Sequence, residues 1–265
     1  MRGAFELSTF SRGSRTTEAL LRRIHVRSTF LIIVAVLWGF AAHDVAAQIP
    51  ISSIEQLQLI GNDSGYPLNG TYVLTTNINA TATATWNGGA GFDPIGNAAN
   101  PLTGVFDGAG YVITGLVINR PSKNEAGLFG RTSNSAEISN LGLVSANISA
   151  NASVGALVGY NQGTITSCYA TGTVAANNDS VGGLVGKNYQ GTISLSYAKV
   201  NVTAGEDGVA GGLVGENYQG TVQDAYATGG VSSTGNSIGG LIGYNYGNGT
   251  VVSCYATGSV SGNTY

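Results

Sequence analysis

A four-residue phrase returns about every 28 residues between residues 127 and 243 of this chain. It reads Gly127-Leu128-Phe129-Gly130, Ala156-Leu157-Val158-Gly159, Gly183-Leu184-Val185-Gly186, Gly212-Leu213-Val214-Gly215 and Gly240-Leu241-Ile242-Gly243. A second phrase keeps step with it: Cys168-Tyr169-Ala170-Thr171-Gly172, Ser196-Tyr197-Ala198-Lys199, Ala225-Tyr226-Ala227-Thr228-Gly229 and Cys254-Tyr255-Ala256-Thr257-Gly258. A unit this short cannot bury an apolar face alone. The period therefore predicts a stack in which each unit covers the next.

Within a unit the apolar pieces are short and broken by Gly, Asn and Ser, too short for a helix with its own buried face, so they read as strands. In one unit, Ser180 to Gly186 forms the first piece, Asn188-Tyr189-Gln190-Gly191 a turn, and Thr192 to Ala198 the next strand. A short β segment at Val200 to Val202 follows, and Ala204 to Gly208 closes the coil. Asn-x-Gly clusters are expected to supply the positive-φ corners. Parallel stacking places equivalent strands about 4.8 Å apart. Ile165, Ile193, Val222 and Val251 then form an internal aliphatic ladder, and Ala170, Ala198, Ala227 and Ala256 a second one where the coil is narrow. Alternation turns Tyr169, Tyr197, Tyr226 and Tyr255 the opposite way from the alanines, as a candidate exposed stripe or a purely stiffening stack. The Asn corners at 161, 188, 217 and 245 vary in length, which makes them the cheapest place for ligand specificity.

Residues 48–126 read as an N-terminal cap with irregular first coils, since the end of a solenoid must be atypical. Ile54 to Ile60 fits a short amphipathic helix or a capping strand. Ahead of this, Arg22, Arg23 and Arg27 precede an apolar run from Phe30 to Ala42. That run falls short of the roughly 20 residues that span a bilayer as a helix. With Val45-Ala46-Ala47 after it, residues 1–47 read as a signal peptide with an extended basic n-region, cut before Gln48. At the other end, Gly258 to Tyr265 stops where another Gly-Leu-x-Gly phrase would follow. The expectation is a truncated solenoid, or a piece continued in a longer protein.

The repeated phrases resemble the GLUG motif, with the Gly-Leu-x-Gly pattern at 127–130, 183–186, 212–215 and 240–243 and a departure at Ala156. The upstream Gly70-Thr71-Tyr72-Val73-Leu74, Pro94-Ile95-Gly96 and Phe106-Asp107-Gly108 are similar to the segment that commonly precedes such repeats. The resemblance spans roughly residues 51–265 and extends to filamentous-haemagglutinin-like bacterial surface adhesins. It implies an all-β, right-handed parallel β-helix (a β-solenoid with about 28 residues per coil), secretion and often adhesion. GLUG units also occur beside a metallopeptidase domain in immunoglobulin-A-cleaving peptidases.

The chemistry-bearing residues narrow the function. Both histidines, His25 and His43, precede the proposed cut, and residues 48–265 carry five Lys and Arg against eleven Asp and Glu, a net charge of −6. That balance argues against nucleic acid, which needs a basic patch, and against an interfacial basic helix. Without histidine there is no His-Glu-x-x-His zinc site, no Ser-His-Asp triad and no Cys-His pair. Carboxylates alone can hydrolyse glycosides, so Asp93, Asp107, Asp224 and Glu216 are the candidates for a polysaccharide-cleaving site. The plainer readings are a turn cap for Asp107 and a solvated corner for Glu216, whose equivalents are Tyr160, Lys187 and Tyr244. No calcium-loop repeat is present, and Gly186-Lys187 lacks phosphate-loop glycine spacing, so no cofactor or metal is expected. Cys168 and Cys254 sit three units apart, about 14 Å by strand spacing, beyond the roughly 7 Å a disulfide allows. Asn69, Asn79, Asn147, Asn151, Asn178, Asn201 and Asn248 head glycosylation-type triplets that arise by chance in so Asn- and Thr-rich a repeat. The resulting expectation is a secreted or cell-surface, non-catalytic solenoid that binds a host glycan or surface protein, with no transmembrane segment in the mature chain. The alternatives are a purely structural stalk or a fragment of a larger passenger.

Overall fold

A computed structural model describes residues 47–206 and 208–262. The expected leader, apart from Ala47, lies outside these residues, as does Asp207. The described residues form a parallel β-solenoid whose coils stack into four sheets of eight, ten, five and five strands. Five coils contribute to all four sheets, one for each Gly-Leu-x-Gly phrase. The coil that begins at Val181 shows the plan: strands Val181–Gly182, Val185–Tyr189, Thr192–Ser194 and Tyr197–Ala204. Each pairs in parallel with its equivalent in the next coil.

This subdivides the coil differently from the sequence reading. The first extended piece is two strands that bend at Gly183-Leu184. The presumed turn at Asn188-Tyr189 lies inside the strand Val185–Tyr189, and the segment Val200–Val202 belongs to one long strand with Tyr197. At the second and third Asn corners the positive-φ residues are Gln190 (60°) and Gln219 (53°), not the glycines after them, whereas at the fourth they are Gly247 (62°) and Asn248 (68°). A further left-handed corner recurs before each Tyr-Ala phrase at Ser167, Leu195, Asp224 and Ser253.

The ladders run inward as expected. Ile165 pairs with Ile193, Ile193 with Val222 and Val222 with Val251, and the first three are fully buried. Ala170, Ala198 and Ala227 are also fully buried. Towards the N-terminus the same inward row carries Tyr72 and Phe106, the latter packed edge-on against Phe129 at 5.3 Å. Here the core is aromatic, where later coils use aliphatic and alanine rows.

Ile54–Leu59 is a helix. Ser53 is its N-cap, its hydroxyl accepting from Gln56 N at 3.3 Å, which satisfies one of the free N–H groups of the first turn. Ile54, Leu57 and Ile60 join the same apolar cluster as the coils, and Ile51 of the first strand is fully buried. Among the described residues no helix is long and apolar enough to cross a membrane.

Candidate binding surface

Tyr169, Tyr197, Tyr226 and Tyr255 stand on the outer side of the strands whose alanines point in. Their rings are stacked at 4.9, 4.7 and 5.0 Å, tilted from parallel by only 5–6°. Parallel pairing in register holds each ring over the next, so the stripe is straight. Stacking at this distance covers the ring faces with one another, and what reaches solvent along the stripe is ring edges and phenol hydroxyls. Lys199 Nζ sits 5.4 Å from the centre of the Tyr197 ring, close enough for a cation–π contact.

A second aromatic row, legible in the sequence only as corner residues, follows the Asn corners. Tyr160, Tyr189, Tyr218 and Tyr246 have successive ring separations of 5.9, 4.9 and 4.8 Å. Arg131 covers Tyr160 at 4.0 Å and forms a 2.7 Å ion pair with Glu125.

Glu216 is not a solvated corner. Its residue is 6% exposed, and it is one member of a row in register: Arg131, Tyr160, Lys187, Glu216, Tyr244. Lys187 Nζ lies 2.6 Å from its carboxylate, and Tyr246 donates its hydroxyl at 3.1 Å. Burial pushes the Glu216 carboxyl up, but hydrogen bonding and charge from Lys187, with Ser180 and Tyr246, outweigh it and hold the group below its ordinary range. Burial likewise works against the Lys187 ammonium, and Glu216 reverses that and raises it. Asp179 reaches Glu216 from an exposed corner; partial desolvation first, then the neighbouring Glu216 charge, raises its carboxyl. The cluster is thus a clasp between coils, with its central carboxylate neutralised by an ammonium and shielded from a substrate.

The other candidate carboxylates are dispersed, and two of them, Asp93 and Asp107, already have partners. Asp93 accepts from Lys123 at 2.7 Å, with Arg120 at 3.6 Å. It borders a polar cleft of about 520 Å³ lined by Asn62, Asp63, Asn97, Asn100 and Lys123. Asp107 accepts from Ala109 N at 2.8 Å and from Asn140 Nδ2 at 3.0 Å, the turn-capping role. Asp224 is the left-handed corner residue of its coil, with φ 50°. Asp179 and Glu216 meet, but Lys187 already holds the pair, so a free acid facing a free base is not formed there. Among the described residues no group of three or more His, Cys, Asp or Glu could hold a metal. Both cysteines are free thiols, and burial pushes Cys168 up to about 12, which keeps it a packed, unreactive group.

Three of the four corner asparagines are interior, and Asn245 is exposed. Asn161, Asn188 and Asn217 are fully buried. The Nδ2 of each donates to Oδ1 of the Asn in the following coil, at 2.8 Å in all three steps: 161 to 188, 188 to 217 and 217 to 245. Each also donates to a glycine carbonyl of its own corner, at Gly163, Gly191 and Gly220. Thr132 starts the row, its hydroxyl donating to Asn161 Oδ1 at 2.7 Å. Gly191 is glycine because a methyl group there would collide with Asn161 Nδ2 and lie 2.6 Å from Asn188 Oδ1. These three asparagines are therefore spent on the fold, and their side chains are not offered to a ligand.

Comparison with known proteins fits this architecture. The family of the GLUG motif matches residues 150–175, 177–203 and 234–261. The chain carries GLUG-motif repeats. The units around 127–130 and 212–215, outside those matched spans, build coils on the same plan. Halomucin of Haloquadratum walsbyi is 38% identical over 175 residues, covering 65% of this chain and 2% of halomucin. A protein of Evansella cellulosilytica named as a Gly-rich membrane protein is 46% identical over 81 residues, covering 29% of this chain and 9% of that one. The matched regions are thus a small part of both relatives, neither of which bears an enzyme's name. A solved structure from Bacteroides ovatus, provisionally named an immunoglobulin A1 protease, superposes with a TM-score of 0.63, covering 81% of this chain and 67% of that chain at 22% identity. At that identity the likeness is one of fold.

Proposed function

We propose that this GLUG-repeat solenoid is a non-catalytic, surface-exposed binding module, in which a rigid stack presents a linear row of weak contacts to an extended partner such as a host glycan or surface protein. The observation that carries this reading is the straight outward stripe of Tyr169, Tyr197, Tyr226 and Tyr255. Ring edges and hydroxyls repeated at the coil spacing suit a polymer that is touched many times, where avidity replaces a deep pocket. Relatives named halomucin and a Gly-rich membrane protein support a place at the cell surface. The ion pairs of Asp93 and Glu216 and the absence of histidine from residues 48–265 support a role without catalysis.

A structural stalk is the second reading. It is favoured by the same rings having their faces covered by one another, and by the burial of three of the corner asparagines. Immobilised residues 48–265 screened against glycans and surface proteins separate the two. The binding reading expects saturable retention that falls about tenfold or more when all four tyrosines are changed to Thr. Retention unchanged by that variant, or none on any surface, favours the stalk.

A further inference from the structure

The loops of the N-terminal cap form a feature that the repeated coils do not share. Asn62 and Asp93 each line two hollows: the polar cleft of about 520 Å³, and a second of about 450 Å³ whose other walls include Gln58, Leu59 and Trp86. Both volumes lie within the roughly 300–1,000 Å³ of small-molecule sites.

The walls are tied together. Gln58 of the helix exchanges two hydrogen bonds with the backbone of Asp93, its Nε2 donating to Asp93 O at 3.0 Å and its Oε1 accepting from Asp93 N at 2.9 Å. Lys123 and Arg120 hold the Asp93 carboxylate through Oδ1, and Arg120 Nε also donates to Phe92 O at 3.1 Å. Phe92 is fully buried and packs with Trp86, the ring centres 6.4 Å apart and the planes 28° from parallel. A ligand therefore meets a preformed surface and has little of it to order.

Four side chains of the polar cleft are each anchored through one atom and leave the other polar atom without a partner among the described residues. Asn62 Nδ2 donates to Gln58 O, which leaves Oδ1. Asp63 Oδ1 accepts from Gly65 N, which leaves Oδ2. Asp93 Oδ1 takes both cations, which leaves Oδ2. Asn97 Oδ1 accepts from Ala99 N and Asn100 N, which leaves Nδ2 as a donor. Open acceptors and an open donor near an aromatic ring suit a ligand dense in hydroxyls, since each hydroxyl both donates and accepts and a sugar ring also presents an apolar C–H face. A peptide brings one backbone N–H per residue and is best met by a sheet edge, whereas no residue lining this cleft lies in a strand. Charge narrows the class further. Both cations already sit on Asp93, and Asp63 has no ion pair among the described residues, so an anionic sugar would face an uncompensated carboxylate.

We propose that the cap carries a binding cleft for a neutral saccharide of at least two rings, one set among Asn62, Asp63, Asp93 and Asn97 and the next against Trp86. Such a cleft stands apart from the tyrosine stripe, and it holds whether that stripe binds a polymer or only stiffens the stack.

Trp86 gives the cleft a direct readout. Trp38 and Trp86 are the two tryptophans of the chain, so in the full chain carrying Trp38→Phe the indole emission reports Trp86 alone. Titrated with maltose, cellobiose and lactose, that emission is expected to change saturably with at least one of them, with half-saturation at or below about 1 mM. Asp63→Asn keeps an Oδ1 for Gly65 N and turns the open acceptor into a donor. It should raise the half-saturation concentration about tenfold with the unfolding midpoint unchanged. Changing the four stripe tyrosines to Thr should leave half-saturation where it was, so that failure of the cleft and failure of the stripe are told apart. No saturable change with any of the three sugars, an undiminished response in Asp63→Asn, or a response to digalacturonate with the neutral disaccharides inert would each overturn the proposal.

Discussion

The asparagine row and the tyrosine row climb the same stack with the same repeat, yet one is sealed in the interior and the other faces solvent. Each buried asparagine side chain makes at least three hydrogen bonds, and Asn161 makes four. Tyr197 and Tyr226 each gain from the ring above and below, and Tyr169 and Tyr255 from one ring. Polar groups in the interior are costly when unpaired, so the inner row fixes the position of every corner. The outer row is bound by no such penalty, and its members can change chemistry with small loss of stability. A solenoid thereby separates the residues that hold it together from those it can show to a partner.

The sharpest way to break this contrast is Asn188→Leu. It strands Asn161 Nδ2, Asn217 Oδ1 and Gly191 O in the interior, and should lower unfolding stability by about 3–5 kcal/mol, read by urea denaturation. Glu216→Gln removes a charge from the contact with Lys187 and should cost about 2 kcal/mol near neutral pH. Because the folded Glu216 carboxyl is held below its ordinary 4.5, its contribution is present above that value and lost as pH falls through the folded pKa. Asp179, raised in the fold, acts in the opposite sense just above its ordinary 3.8. The wild-type loss on acidification should therefore flatten in Glu216→Gln, as followed by unfolding midpoints from pH 7 to pH 3.

Tyr197→Thr tests the outer row. It keeps a β-branched residue on the strand and removes two stacked faces, so a loss of about 1 kcal/mol is expected by the same denaturation. Loss as large as that of Asn188→Leu would erase the distinction between the rows. Smallest, and opposite in sign, is Leu195→Asn. Leu195 is 60% exposed and holds a φ of 48°, a conformation Asn adopts more readily. A gain of about 0.5–1 kcal/mol should follow, without effect on either row.

Much of this architecture is legible in the amino-acid sequence. Ile193, Ala198 and Tyr197 declare their sides because alternation along a strand leaves each only two directions. The asparagine row is easily mistaken for a set of surface turns, because Asn-x-x-Gly is the same string in a solvated turn and in an interior ladder. One signal does separate them: Asn161, Asn188, Asn217 and Asn245 hold register while the residues that follow change in number, and a free turn has no reason to do so. The setting of Glu216 is legible too, since Lys187 holds the same position one coil earlier and stacked coils bring opposite charges together. The fourfold division of the coil is not. Gly183-Leu184 bends the chain without any residue that marks a turn unambiguously, and the helix at Ile54–Leu59 is too short for its periodicity to exclude a strand.

The fold rests on the inner row, and the most direct measurement of that row is side-chain amide hydrogen exchange followed by NMR. The Nδ2 protons of Asn161, Asn188 and Asn217 should exchange only on global unfolding, at least about a thousandfold more slowly than those of the exposed Asn178. Exchange of all four at comparable rates would place the corner asparagines in solvent and contradict the ladder that holds the coils in register.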